Sequence, residues 1–218
     1  MPPTASDALL VIDVQNDFCP KTRRGGGALA VPDGCAVVPL INHIAEAFEN
    51  IIVTQDWHPA GHISFASSHK GAAPFSTTTL SYGAQVLWPD HCIQGSHGAE
   101  LHPGLVLPRA QMIVRKGYHK KTDSYSAFLE ADRKTPTGLD GYLASRGISR
   151  VFCVGLAFDF CVAWTALDAR RFGLAATVIE DACRAIDAPG ASGADGTLAK
   201  ARADMRAAGV DLVASSGL

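Results

Sequence analysis

The sequence is poor in charge. Asp, Glu, Lys and Arg make up 18% of its 218 residues, 19 basic against 21 acidic, for a formal net charge of −2. No Lys/Arg run forms a stripe, so neither nucleic acid nor an anionic membrane is expected as a partner. Long apolar runs are also missing. The segment Ala8 to Val14 is interrupted by Asp13 and is too short to cross a bilayer. It lacks a basic flank and a small-residue cleavage site, so it reads as a buried strand and not as a leader. Six cysteines stand at 19, 35, 92, 153, 161 and 183, with no C-x-x-C pair and no tight framework. Such usage argues for free thiols in a reducing compartment and for a cytoplasmic location. There is no internal repeat, low-complexity tract or linker. What is present is 47% hydrophobic residues in a chain of 22.9 kDa, enough for the core of one α/β domain spanning residues 1–218.

The apolar pattern alternates between strand and helix. Leu9-Leu10-Val11-Ile12 is a buried strand ending in Asp13. Val37, Leu40, Ile41, Ile44 and Phe48 recur at helical spacing, which predicts a helix from about Gly34 to Glu49. Ile51-Ile52-Val53-Thr54 is a second strand. From Asp56 to about Arg109 the pattern dissolves into Gly, Pro, Ser and His, and so long an irregular stretch is usually functional. Met112-Ile113-Val114 predicts a third strand ending at Arg115-Lys116, and Leu139 to Arg146 a short helix stopped by Gly147. Val151-Phe152-Cys153-Val154 is the clearest strand. A helix is expected from Phe160 to Phe172, with Asp159 as its N-cap and Gly173 at its end. A strand at Ala176 to Ile179, a helix through Leu198, Ala201, Met205 and Ala208, and a strand at Val210 to Val213 complete the chain. Strands separated by helices imply a mostly parallel, three-layer, doubly wound α/β sheet.

In open parallel sheets, ligands bind beyond the carboxyl ends of the strands. Polar residues collect at those ends here. The first strand delivers Asp13, the second Asp56 and His58, the third Lys116, and the fourth leads through a short turn to Cys161. In the first turn of a helix, Cys161 would gain thiolate character from unpaired N–H groups and from a nearby Lys116. Asp13 could then take the thiol proton and pass it on. Taken singly, Cys161 could equally be a small buried residue and Lys116–Asp13 a structural ion pair. Asp56-x-His58 points both side chains the same way in extended chain, and these donors suit Zn²⁺, Fe²⁺ or Mn²⁺, with His62 and His91 as candidate further ligands. Phe18, Trp88 and Tyr125 lie in loops near the same edge. They read either as a box for a flat ligand or as ordinary packing.

These segments together carry a resemblance. Asp13-Val14-Gln15-Asn16-Asp17-Phe18-Cys19, Asp56-Trp57-His58-Pro59-Ala60-Gly61-His62-Ile63-Ser64-Phe65, Trp88-Pro89-Asp90-His91-Cys92, Lys116-Gly117 and Gly155-Leu156-Ala157-Phe158-Asp159-Phe160-Cys161-Val162 stand in the order found in bacterial nicotinamidases (pyrazinamidases). The chain closely resembles that group of the isochorismatase-like cysteine hydrolases over roughly residues 7–214. The resemblance implies a catalytic triad of Cys161, Asp13 and Lys116. It also implies a metal site of Asp56, His58 and His91 for one divalent ion, zinc first and iron or manganese next. A cis peptide is implied at Leu156–Ala157, with an oxyanion hole of the Ala157 and Cys161 N–H groups. The substrate, a small aromatic amide such as nicotinamide or pyrazinamide, would sit between Phe18 and Trp88 with Tyr125 nearby, and its hydrolysis would serve NAD salvage. A role for His62 as a ligand and a homo-oligomeric state are left open.

Two departures stand out. Phe158 replaces a Thr common in relatives, and Lys21 to Arg24 reads as a short insertion after the first motif. Both bear on the pocket mouth. Alternatives are an amidase for a carbamoyl or ureido substrate, a vinyl-ether hydrolase that would not need Cys161, and a non-catalytic metal- or nucleotide-binding module. The absence of G-x-G-x-x-G after the first strand counts against a dinucleotide site.

Overall fold

The computed structural model describes residues 2–188 and 196–218. Six runs rich in Val, Ile, Leu and Ala become strands: β1 (Asp7–Ile12), β2 (Asn50–Asp56), β5 (Met112–Lys116), β6 (Arg150–Leu156), β7 (Ala175–Arg184) and β8 (Asp211–Val213). They form one sheet in the order β5-β2-β1-β6-β7-β8, and every pairing is parallel. All residues of β1 and β2 are buried. Side chains alternate faces along a strand, so both faces of the sheet centre are covered. Edge strand β5 differs: Val114 and Lys116 face inward, while Ile113 and Arg115 are exposed.

The connections supply the covering layers: α1 (Val38–Ala45), α2 (Leu139–Ser145), α3 (Ala163–Arg171) and α4 (Gly196–Ala207). The expected first helix is shorter than its periodicity. Residues Gly34–Val37 wind as a 3₁₀ turn, and Pro39 sits in the first turn of the α-helix proper. Ala208, expected on the buried face of the last helix, is exposed, whereas Ala201 and Met205 are buried. The long region after β2 is not wholly irregular. It holds an antiparallel hairpin, β3 (Thr77–Leu80) with β4 (Gly83–Val86), whose threonine run favours extended chain. Among the described residues, no helix is long and apolar enough to cross a membrane.

The chain leaves β1 toward β2 and β5, then returns to the other side of β1 for β6, β7 and β8. Strand order therefore reverses between β1 and β6, and a crevice opens beyond their carboxyl ends. Gly155 lets these two strands meet there. Its φ is +113°, and a Cβ would lie 2.1 Å from the Ile12 carbonyl oxygen.

Candidate active site

Lys116, the last residue of β5, is fully buried at the crevice. Its Nζ lies 2.7 Å from Asp13 Oδ2 and 3.4 Å from Cys161 Sγ. It also donates to Asp56 Oδ1 and, at 3.2 Å, to the Ser124 carbonyl. The three expected triad residues therefore meet around one ammonium group. Burial works against that charge, but Asp13 and Asp56 outweigh it and hold Lys116 well above its ordinary range. Burial likewise opposes ionisation of Asp56, and the Lys116 charge overturns it, holding the Asp56 carboxyl well below its ordinary range.

Asp13 stands just past β1 with φ +48°. Its N–H donates to Thr54 Oγ1 at 3.1 Å, and that hydroxyl donates back to Asp13 Oδ1 at 2.6 Å. Oδ2 makes no hydrogen bond; its approach to Lys116 is an ion pair off the hydrogen-bond direction, which leaves acceptor capacity. Burial pushes the Asp13 carboxyl up, against the pull of Lys116. Cys161 corrects one expectation. It sits not in the first turn of an α-helix but inside a π-helical turn, Phe158–Val162, ahead of α3. Burial raises its thiol well above the ordinary range, and Asp13 and Asp56 add to this against Lys116.

Asp159 does not cap α3. Its carboxylate accepts the N–H groups of Ile186 (3.0 Å) and Asp187 (2.8 Å) and the Thr197 hydroxyl (2.5 Å), tying the π-turn to β7's exit and to α4. The peptide Leu156–Ala157 is cis, as expected.

Beside Lys116, Asp56, His58 and His91 bring one ligating atom each within 4.8 Å of one another. His58 Nε2 is 3.8 Å and His91 Nε2 3.7 Å from Asp56 Oδ2. These gaps are too long for hydrogen bonds and suit donors arranged around a shared ion. The tautomers agree. His58 Nδ1 donates to the Gly117 carbonyl at 2.9 Å and His91 Nδ1 to the Pro89 carbonyl at 2.8 Å, leaving both Nε2 lone pairs for a metal. The donor set therefore fits one divalent cation.

His62 is placed differently. Its Nε2 faces the carbonyls of His119 (3.0 Å) and Thr122 (3.2 Å), so it carries the proton. Its Nδ1 meets Ser64 Oγ at 2.7 Å. Its ring packs 4.4 Å from that of His58. It therefore supports a ligand and does not complete the Asp56/His58/His91 set, although it forms a second buried group with His58 and Asp123. Cys92, next to His91, is buried with its sulfur toward the Gly98 carbonyl.

The first motif explains how the ligand loops are held. Gln15 grips Asp56 from both sides, accepting its N–H and donating to its carbonyl, each at 2.9 Å. Asn16 donates to the His97 carbonyl at 2.9 Å. Asp17 accepts the Cys92 N–H at 2.8 Å. Only Asp13 of that motif faces the reaction centre; its polar neighbours are clamps.

A narrow cavity reaches Cys161, Ala157, Asp56, His58 and His91. Its aromatic wall is Trp88, Tyr125 and Phe160. Trp88 and Phe160 meet edge to face at 4.9 Å, and Trp88 Nε1 donates to the Tyr125 hydroxyl at 3.0 Å. Phe18 is buried against His91, ring centroids 5.6 Å apart, beside the cavity that Trp88 and Tyr125 line. Phe160, Leu29, Asp123 and Ile186 also line the cavity, unanticipated from sequence. Phe160 directly precedes Cys161, and Asp123 lies two residues before Tyr125, so chain proximity was the one available signal. Phe158, the unusual residue of the turn, is buried away from the lining, and Lys21 to Arg24 form an exposed tight turn closed by Thr22 and Gly25.

The chain matches the isochorismatase domain over residues 7–208. It is 54% identical to a nicotinamidase of Acinetobacter baylyi, over 97% of this chain and 94% of that protein. A solved nicotinamidase/pyrazinamidase of Acinetobacter baumanii superposes with a TM-score of 0.92 at 54% identity, over 98% of both chains. A pyrazinamidase of Pyrococcus horikoshii, solved in complex with zinc, superposes with a TM-score of 0.74 at 31% identity, over 96% of this chain and 99% of that one. A parallel sheet that delivers acid, ammonium and thiol to its switch point, and a match over almost the whole chain, place this protein in the isochorismatase-domain family of hydrolases.

Proposed function

We propose that the chain hydrolyses nicotinamide to nicotinate and ammonia, with pyrazinamide as a second substrate, as a step of NAD salvage. The observation that carries this reading is the single ammonium of Lys116 shared by Asp13, Asp56 and the Cys161 sulfur, beside a buried donor set fit for a metal.

Cys161 Sγ attacks the carboxamide carbon while Asp13 Oδ2, the oxygen without a hydrogen bond, takes the thiol proton. The raised Asp13 carboxyl suits a proton carrier. The N–H groups of Ala157 and Cys161 receive the oxyanion. When the C–N bond breaks, Asp13 returns the proton to the departing nitrogen and ammonia leaves. A water then adds to the thioester, giving one proton to Asp13. The C–S bond breaks, the Asp13 proton passes to sulfur, and nicotinic acid leaves, giving up its carboxyl proton to solvent as nicotinate. Lys116 balances the negative charge as it moves between Asp13 and Cys161. Asp56, His58 and His91 would hold one divalent ion, zinc by donor chemistry. When bound, such an ion supplies an electrophilic contact for the ring nitrogen. The rings of Trp88, Tyr125 and Phe160 would confine the flat ring. Six free cysteines fit a cytoplasmic enzyme.

An ammonia-release assay over a panel of amides tests the substrate class. Nicotinamide and pyrazinamide are expected to turn over at least tenfold faster in kcat/KM, on the order of 1.4 kcal/mol, than benzamide, which lacks the ring nitrogen. Preferential hydrolysis of an aliphatic ureido compound would overturn the reading.

A further inference from the structure

Away from the catalytic crevice, a second group of soft side chains comes together. Cys19, Cys35 and His102 bring two sulfurs and one ring nitrogen within 4.8 Å of one another. None of the three lines the catalytic cavity. The chain path makes the group. Cys19 follows the 3₁₀ turn Asn16–Phe18. The segment 20–33 then folds back, and the Val31 N–H donates to the Phe18 carbonyl at 3.0 Å. Gly34 packs on the same carbonyl, where a Cβ would lie 2.5 Å from the oxygen. Cys35 is the next residue. One carbonyl thus fixes the position of both cysteines. Cys19 is buried, while Cys35 and His102 are partly exposed, so reagents reach the group from one side.

Either a soft metal ion or thiol oxidation could use such a group, and His102 decides between them. Its Nδ1 accepts the Gly104 N–H at 3.1 Å. Burial favours the neutral ring, whose single proton then sits on Nε2. In that state neither ring nitrogen has a free lone pair for a metal, but Nε2–H can be offered to a thiolate. Burial and the neighbouring Cys35 push the Cys19 thiol up to about 12, so Cys19 stays protonated and the accessible Cys35 is the sulfur that reacts first.

We propose that Cys19 and Cys35 are a site of reversible thiol oxidation, forming a disulfide with each other under a hydroperoxide and acting independently of Cys161 and of the amidase reading. The Cys35 sulfur takes the terminal oxygen of hydrogen peroxide, breaking the O–O bond and releasing water, and becomes a sulfenic acid. The Cys19 sulfur then attacks it. The S–S bond forms, the S–O bond breaks, and the hydroxyl leaves with the thiol proton as water. In sum, two thiols and one peroxide give one disulfide and two waters. The sulfurs, within 4.8 Å of one another, must close to about 2 Å.

The sequence gives a clean readout. Trypsin places Cys19 on peptide 1–21 and Cys35 on peptide 25–70, and neither peptide holds another cysteine. The full chain is treated with hydrogen peroxide, its remaining thiols are alkylated, and the digest is weighed. The expected product is these two peptides joined, separated by dithiothreitol, absent from Cys35→Ser and present in Cys161→Ala. Oxidation of Cys35 to a sulfinic acid with Cys19 still alkylated would overturn the proposal, as would linkage of either residue to another cysteine. Protection of both thiols from alkylation by Zn²⁺, with no joined peptide on oxidation, would overturn it in favour of a metal site.

Discussion

At the scale of single residues, the site turns on a buried ammonium that cannot be removed without stranding charge. Lys116 has no exposed surface and stands between Asp13 and Asp56. Two carboxylates without it would face each other in a water-poor crevice. Lys116→Ala is therefore expected to lower folding stability by about 3–5 kcal/mol, the usual cost of breaking a buried pair from one side, and to abolish ammonia release. Urea titration reads the first and a coupled assay the second; a variant with unchanged midpoint and turnover would contradict this account. Sequence reasoning reached the identities of these residues because each closes a strand, and the strand ends converge. It did not reach side-chain direction. Phe18 and Phe160 are chemically alike, yet Phe18 packs on His91 and Phe160 on Trp88. What each ring touches depends on residues distant in sequence, which only the fold brings near.

At the scale of elements, loops fixed by glycine and by buried clamps hold the ligands. Gly117 has φ +66°, and a Cβ there would lie 2.4 Å from His58 Cε1. Its carbonyl also fixes the His58 tautomer. Gly117→Ala is expected to displace that ring and lower bound metal per chain at least several-fold, since disturbing a ligand's supporting bond typically costs 10- to 100-fold in affinity, on the order of 1.4–2.7 kcal/mol. Elemental analysis of the purified variant checks it; full metal content would contradict it. The strands were legible because uninterrupted Val, Ile and Leu runs leave little choice for a buried parallel sheet. The π-turn at Phe158–Val162 was not, because apolar periodicity cannot separate it from the α-helix that follows. Asp159 shows the same limit. Its position suggested a cap, but its carboxylate is committed to Ile186, Asp187 and Thr197, partners that only the fold brings near.

At the scale of the whole molecule, the site sits where the strand order reverses, so its integrity is tied to the sheet, and acid should loosen both. His62 is buried, and burial together with His58 lowers its imidazole from 6.5 to about 4. The unfolded chain therefore binds a proton between these values that the folded chain refuses. Stability contributed by the neutral ring is fully present above pH 6.5 and is lost as pH falls toward about 4, by up to about 3 kcal/mol. His62→Gln, which has no imidazole to titrate, is expected to show a smaller fall in urea midpoint over this window than the wild type. An equal fall in both proteins would remove His62 from the acid response.

The most direct test of the account is ammonia release from nicotinamide by Cys161→Ala, with circular dichroism and metal content shown to match the wild type. A folded, metal-loaded variant with no release above background is the predicted result. Wild-type turnover by that variant would contradict the thiol as nucleophile, and with it the thioester route proposed for this site.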